Sequence, residues 1–93
     1  MAGIIGDGII YKDKTSEVLD LNSILSQSTY LVYTSNPNTP NGMDAYGWVT
    51  TMPAFDSQSY STQFLLDRRG AFFVRVKNSK TWLEWNKVTT TPL

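Results

Sequence analysis

Tyr60-Ser61-Thr62-Gln63-Phe64-Leu65-Leu66-Asp67-Arg68-Arg69-Gly70-Ala71-Phe72-Phe73-Val74-Arg75-Val76-Lys77 reads as two β-arms around a tight turn, and this hairpin decides the fold class. Both arms, Tyr60 to Leu66 and Ala71 to Lys77, are rich in β-branched and aromatic residues, which fit a pleated surface. Asp67, Arg68, Arg69 and Gly70 join them, and Gly70 suits the positive-φ position that such a turn needs. In the second arm Phe72, Val74 and Val76 face one way and Phe73, Arg75 and Lys77 the other, and one of the two sides is core.

Working outward, Asn78, Ser79 and Lys80 form a short turn into a last strand, Trp82 to Thr89. Upstream, Tyr46 to Met52 alternates as a strand, bounded by Pro53 to Ser59 on one side and by the turn-rich loop Ser35 to Asp44 on the other. Thr29 to Thr34 is a further strand, with Tyr30, Val32 and Thr34 on one face and Leu31 and Tyr33 on the other. Between Thr15 and Ser26, Val18, Leu21, Ile24 and Leu25 fall at helical spacing, which predicts a short helix or 3₁₀ turn with Thr15 or Ser16 as cap. Asp20 and Asn22 are placed to bond nearby backbone N–H groups. The expected fold is mainly β (small α+β): a five-stranded, mostly antiparallel sheet preceded by a short helical turn, with meander topology.

Residues 1–14 stand apart. Ile4, Ile5, Ile9 and Ile10 recur among Gly3, Gly6 and Gly8, a pattern suited to a linker or a fibre-shaft segment, and the domain proper is expected over 15–93. Asp7 and the glycines interrupt the apolar run and no basic stretch precedes it, so it is not read as a signal peptide. Nor does any run approach the roughly 20 apolar residues of a membrane span, so no membrane insertion is expected.

The chain has 93 residues, 41% hydrophobic and 13% aromatic, enough for one packed domain without metals or disulfides. It has no histidine and no cysteine. A Ser/His/Asp triad, a cysteine nucleophile, a Cys/His zinc site and a Cys-x-x-Cys redox motif are therefore all impossible. No cofactor is expected. The formal charge is zero but uneven: two lysines against six acids up to Leu66, then six basic residues against two acids from Asp67 onward. That balance lacks the basic footprint that displaces counterions from nucleic acid, so no nucleic-acid partner is expected. With both faces of several strands carrying aromatics on so short a chain, oligomerisation is the expected way to cover them.

Several groups of residues together resemble the knob domain of R-type pyocin and bacteriophage tail fibres. They are Asp20-Leu21-Asn22 before the first strand, Asn41-Gly42 ahead of Tyr46-Gly47-Trp48, Tyr60-Ser61-Thr62-Gln63-Phe64, Phe73-Val74-Arg75, and the closing Trp82-Leu83-Glu84-Trp85-Asn86-Lys87. The resemblance spans about Leu19 to Val88 and rests on the order and spacing of these pieces, none of which is diagnostic alone. It implies a knob-like, non-enzymatic module of a homotrimeric tail fibre in the virion. Such a module is made in the cytoplasm of the bacterial host and acts outside the target cell, in host attachment. The partners it implies are a bacterial surface polysaccharide or other cell-envelope receptor and other tail-fibre or baseplate proteins. A free-standing carbohydrate-binding module of β-sandwich type is the alternative.

Among candidate site residues, Tyr46, Trp48, Tyr60, Trp82 and Trp85 offer flat apolar faces with a polar edge for stacking on sugar rings. Arg68 and Arg69 at the hairpin tip offer planar forks for phosphate or carboxylate, against the plainer reading of a solvated turn. Trp48, Phe72, Val74, Trp82 and Trp85 are read as structural core or subunit contact, and alternation would set Trp82 and Trp85 on opposite sheet faces. Arg75 is expected to pair with Glu84 across neighbouring strands or to bridge subunits. The carboxylates fall mostly in turns and caps, so a glycosidase pair is not expected, and one carboxylate within Asn36 to Asp44 is too few for a calcium site.

Overall fold

The computed structural model describes residues 11–12, 19–89 and 91–93. Along the chain lie β1 (Tyr11–Lys12), a 3₁₀ turn (Leu21–Ser23), β2 (Ser28–Tyr33), β3 (Tyr46–Pro53), β4 (Ser61–Asp67), β5 (Phe72–Asn78), β6 (Thr81–Trp82) and β7 (Asn86–Val88). They form one sheet in the spatial order β1-β2-β3-β4-β5-β6, with β7 also on β5. The run from β2 to β5 is an antiparallel meander, as expected, and β1 lies parallel to β2 beside Thr29 and Tyr30. The linker or shaft reading of residues 1–14 lies outside the described residues apart from Tyr11 and Lys12, as do Thr15, Ser16 and Val18 of the expected helical segment. What is described of that segment is the Leu21–Ser23 turn, capped by Asp20, whose Oδ1 accepts from the Asn22 backbone N–H at 2.8 Å.

Turn chemistry explains the two hairpins. Gly70 has φ +88° with open space around it, the left-handed conformation that glycine adopts without steric penalty. Asn78 pairs with Thr81 across a two-residue loop in which Ser79 and Lys80 have φ of 52° and 74°. Positive φ at both central residues is the type I′ geometry that matches strand twist. The expected last strand, Trp82 to Thr89, departs from this regularity. It breaks at Leu83–Trp85 into β6, beside Lys77 and Asn78, and β7, beside Phe72 to Val74.

Cross-strand partners share a face. One face carries the rows Ser28–Thr51–Gln63–Arg75, Tyr30–Val49–Leu65–Phe73 and Val32–Gly47–Asp67. The other carries Thr29–Thr50–Phe64–Val74–Asn86 and Leu31–Trp48–Leu66–Phe72–Val88. The first face is inner. Its Val32, Val49, Leu65 and Phe73 form the core with Leu21, Ile24 and Met43 from outside the sheet, and Leu19, Tyr30, Ala71 and Trp85 pack against it. Burial of roughly 1.5 to 3 kcal/mol per large side chain makes this cover the main source of stability. Asn36 staples it to the sheet: its Oδ1 accepts from the Tyr33 N–H at 2.8 Å and its Nδ2 donates to the Leu19 carbonyl at 3.0 Å.

In β3, the inner row requires a glycine. A Cβ at Gly47 would lie 2.6 Å from the Leu66 carbonyl oxygen and 2.9 Å from the Asp67 Cα, both backbone atoms that cannot swing aside.

Candidate functional site

Alternation along β5 sends Phe73, Arg75 and Lys77 inward, so a guanidinium is delivered beneath the sheet next to the core. Arg75 is only 5% exposed. Its Nε donates to the Oε1 of Gln63, directly opposite on β4, at 2.9 Å. The Gln63 Nε2 donates to the Leu21 carbonyl at 2.8 Å and to Thr51 Oγ1 at 3.1 Å. A fully used amide therefore links the cation to the 3₁₀ turn and to β3.

Two indoles close over the guanidinium, whose central carbon lies 4.0 Å from the centroid of the Trp82 ring and 4.7 Å from that of Trp85. Each ring is pinned by its N–H: Trp82 Nε1 donates to the Asn22 carbonyl at 3.4 Å and Trp85 Nε1 to the Asn38 carbonyl at 2.9 Å. Cation–π attraction grows when the cation is desolvated, as here. Burial pushes the Arg75 guanidinium down to about 10, with Asp20 pulling it back up, so it stays charged near neutral pH. The indoles thus share one side of the sheet, contrary to the expected opposite faces. The chain leaves strand geometry at Leu83–Trp85, so alternation does not carry through from Trp82. Nor does Arg75 pair with Glu84, since Gln63 and the rings hold it.

The same segment walls a groove of about 660 Å³ between the end of β5, the chain from Trp82 to Lys87 and the loop around Asn38 to Asn41. Trp82 and Trp85 line it half-buried, with Arg75, Glu84, Lys87, Asn22 and Asn41 supplying polar groups. From sequence, Asn22 reads only as a local cap and Glu84 only as a partner for Arg75, while Asn41, Lys87 and Gln63 are singled out only through the family resemblance. The only signal for the groove was the Trp82-Leu83-Glu84-Trp85 spacing, which points to it only once the strand is known to break there.

Of the residues selected from sequence, Trp82 and Trp85 line this groove, and the others fall elsewhere. Tyr46 and Trp48 lie on the outer face in edge-to-face contact, centroids 5.6 Å apart. Tyr60, against Phe55 at 6.3 Å, precedes β4, whereas Arg68 and Arg69 follow its far end. Seven residues of strand, about 20 Å or more, separate them, so the structure does not bring Tyr60 together with the arginines. Arg68 Nε lies 3.3 Å from Asp44 Oδ2, and Arg69 also pairs with that carboxylate, so both forks are partly neutralised. The buried turn residue beside them is Asp67, whose Oδ1 accepts from Arg69 and Ala71 N–H at 2.9 Å each and whose Oδ2 accepts from the Asp44 N–H at 3.0 Å. Burial would raise the Asp67 carboxyl, but these three backbone bonds outweigh it and hold it below the usual 3.8.

The outer face is the second distinctive surface. Phe72 and Val74 lie on it half-buried, Phe64 stacks on Phe72 with centroids 6.0 Å apart, and Trp48, Met52, Leu66, Val76 and Val88 are exposed. Trp48, Phe72 and Val74 therefore stand outside the core beneath the sheet. The charged residues of β2 to β7, namely Asp67, Arg75, Lys77 and Lys87, all lie on inner rows, and the outer rows carry none. No helix among the described residues is long and apolar enough to cross a membrane.

The family model of the XkdV N-terminal domain, a phage-associated and tail-related domain, matches residues 6–88 of the chain. No curated protein and no solved structure matches it.

Proposed function

The chain belongs to the XkdV N-terminal domain family, and on that footing of a phage structural domain we propose that it is a non-catalytic tail-fibre module that assembles as a homotrimer and takes part in host attachment. The observation that carries the assembly is the inversion of the sheet: charge on the covered side, an uncharged apolar surface on the open side. Contiguous exposed apolar surface of this kind marks an interface in soluble proteins. Copies of the same face are its natural occupant, because each brings an equally uncharged surface and leaves no charge unpaired.

Size supports this. The five strands β2 to β5 and β7, spaced about 4.8 Å and about six residues long at about 3.3 Å each, make a face on the order of 500 Å² before side-chain relief is counted. That is near one side of a small specific interface. Three such faces turned toward a three-fold axis would form a shared core.

Four of the five described carboxylates support a structural role rather than catalysis. Asp20 caps the 3₁₀ turn, Asp44 holds two arginines, Asp56 accepts from Ser59 Oγ at 2.9 Å and from the Gln58 N–H at 3.0 Å, and Asp67 organises the hairpin turn. The proposed partners are a bacterial envelope polysaccharide or other surface receptor and further tail-fibre or baseplate proteins, and the proposed place of action is the virion tail. Sedimentation equilibrium of the whole chain tests the assembly, and pull-down of the labelled chain by intact bacterial cells tests attachment. A monomer at every concentration overturns the first, and absence of cell binding overturns the second.

A further inference from the structure

Arg75 Nη2 is buried without a hydrogen-bond partner, although the side chain is 95% covered and its Nε is satisfied. A buried guanidinium nitrogen without an acceptor is unusual enough to call for one. Arg75 lines, with the two pinned indoles, a groove of about 660 Å³, and its covered Nη2 belongs to the polar floor beneath that groove. That volume falls within the range of about 300 to 1,000 Å³ typical of small-ligand sites.

Among the other polar groups of the groove, Asn38 and Thr39 are engaged, by Asp20 and by the Thr34 and Asn36 carbonyls. The side chains of Asn22, Asn41, Glu84 and Lys87 line it without a hydrogen bond to any described residue. They present donors and acceptors side by side. Of the charges lining the groove, Arg75 and Lys87 exceed Glu84 by one, and acids outside it compensate: the field of Asp20 reaches Arg75 and that of Asp67 reaches Lys87. A balanced set of this kind disfavours an ionic ligand and suits hydroxyl groups, each both donor and acceptor. The two indoles add rigid apolar faces of the kind that pack on the C–H face of a sugar ring.

We propose that this groove binds an uncharged, hydroxyl-rich saccharide, with Trp82 and Trp85, backed by the Arg75 guanidinium, as the apolar platform and Asn41, Glu84 and Lys87 bonding its hydroxyls. Only the source of that saccharide, a bacterial surface, depends on the proposed attachment role; the binding itself is independent of how the chain assembles. Because both rings are half-buried and line the groove, a saccharide resting on them alters the surroundings of both, and tryptophan emission reports it.

The whole chain is titrated with cellotriose, maltotriose and tri-N-acetylchitotriose, and with trigalacturonic acid as the charged counterpart, while emission is followed. The expected result is a saturable change with at least one neutral trisaccharide at millimolar concentrations, tighter than with the acid. Glu84→Gln and Asn41→Ala, both at exposed positions, should each weaken it about tenfold while the far-ultraviolet circular dichroism stays unchanged. No saturable change with any neutral trisaccharide, equal or tighter binding of the acid, or full affinity in both variants overturns the proposal. Since sedimentation equilibrium reads the assembly separately, a failed titration and a failed trimer are told apart.

Discussion

Arg75 donates from Nε to Gln63 Oε1 at 2.9 Å across the β4–β5 pair, and this bond ties the cation between the indoles to the polar network under the sheet. Gln63→Leu keeps the volume but leaves Arg75 Nε without an acceptor in a buried place and strips one of its two donors from the Leu21 carbonyl. A charged donor stripped of its acceptor there destabilises by about 3 kcal/mol. Urea unfolding at fixed chain concentration should show that loss. A change below about 1 kcal/mol would mean that the indoles alone hold the guanidinium.

Gly47→Ala should be among the most damaging small substitutions. Its Cβ would meet two backbone atoms at 2.6 and 2.9 Å, so strands β3 and β4 must part or shift register. A loss of about 3 kcal/mol, some 12 °C or more in Tm for a domain of this size, is expected in thermal unfolding. Gly70→Ala, in open space at φ +88°, should lose only about 1 kcal/mol. Equal losses at the two sites would contradict the close approach at Gly47.

The Ser79–Lys80 turn is built from residues that rarely adopt its geometry. Both have positive φ in a type I′ turn that favours Asn-Gly. Ser79→Asn combined with Lys80→Gly should therefore raise stability by about 1 kcal/mol. Chemical denaturation showing no gain would indicate that the Lys80 N–H bond to the Ser59 carbonyl, at 3.0 Å, already sets this turn.

Asp67 sets an acid limit. Its carboxyl is held below 3.8 in the folded chain, so its charge contributes stability that is fully present above that value and is lost as pH falls through the lower, folded value. Stability should therefore decline below about pH 4, and the decline should be shallower in Asp67→Asn, which also starts from a less stable state at neutral pH. An unchanged acid slope in the variant would remove Asp67 from this role.

Much of the fold was legible because its decisive stretch is local. The hairpin arms, Gly70 as the turn glycine, the Asp20 cap and the order of the strands follow from alternation and turn chemistry within a few residues. Which face of β5 is core was not legible. Phe72, Val74 and Val76 look like core and Phe73, Arg75 and Lys77 like surface, yet the covered side is the charged one. The segment around the 3₁₀ turn happens to present Leu21, the Asn22 carbonyl and, through Gln63, a polar anchor to it. The groove was illegible for a related reason: one irregular peptide stretch at Leu83–Trp85 brings two tryptophans to one side, and no periodicity announces such a break. The arginines at the hairpin tip drew attention by their charge, but Asp44, distant in sequence, takes up both.

The inverted sheet makes assembly the central claim, and sedimentation equilibrium of the whole chain beside Trp48→Lys and Leu66→Lys tests it most directly. Both residues are exposed in the isolated chain, at 37% and 46%, so a lysine at either leaves the inner core intact. The expected result is a mass three times 10.5 kDa for the native chain and 10.5 kDa for each variant, with unchanged circular dichroism. A native chain that stays at 10.5 kDa at every concentration, or variants that still form the larger species, would contradict it.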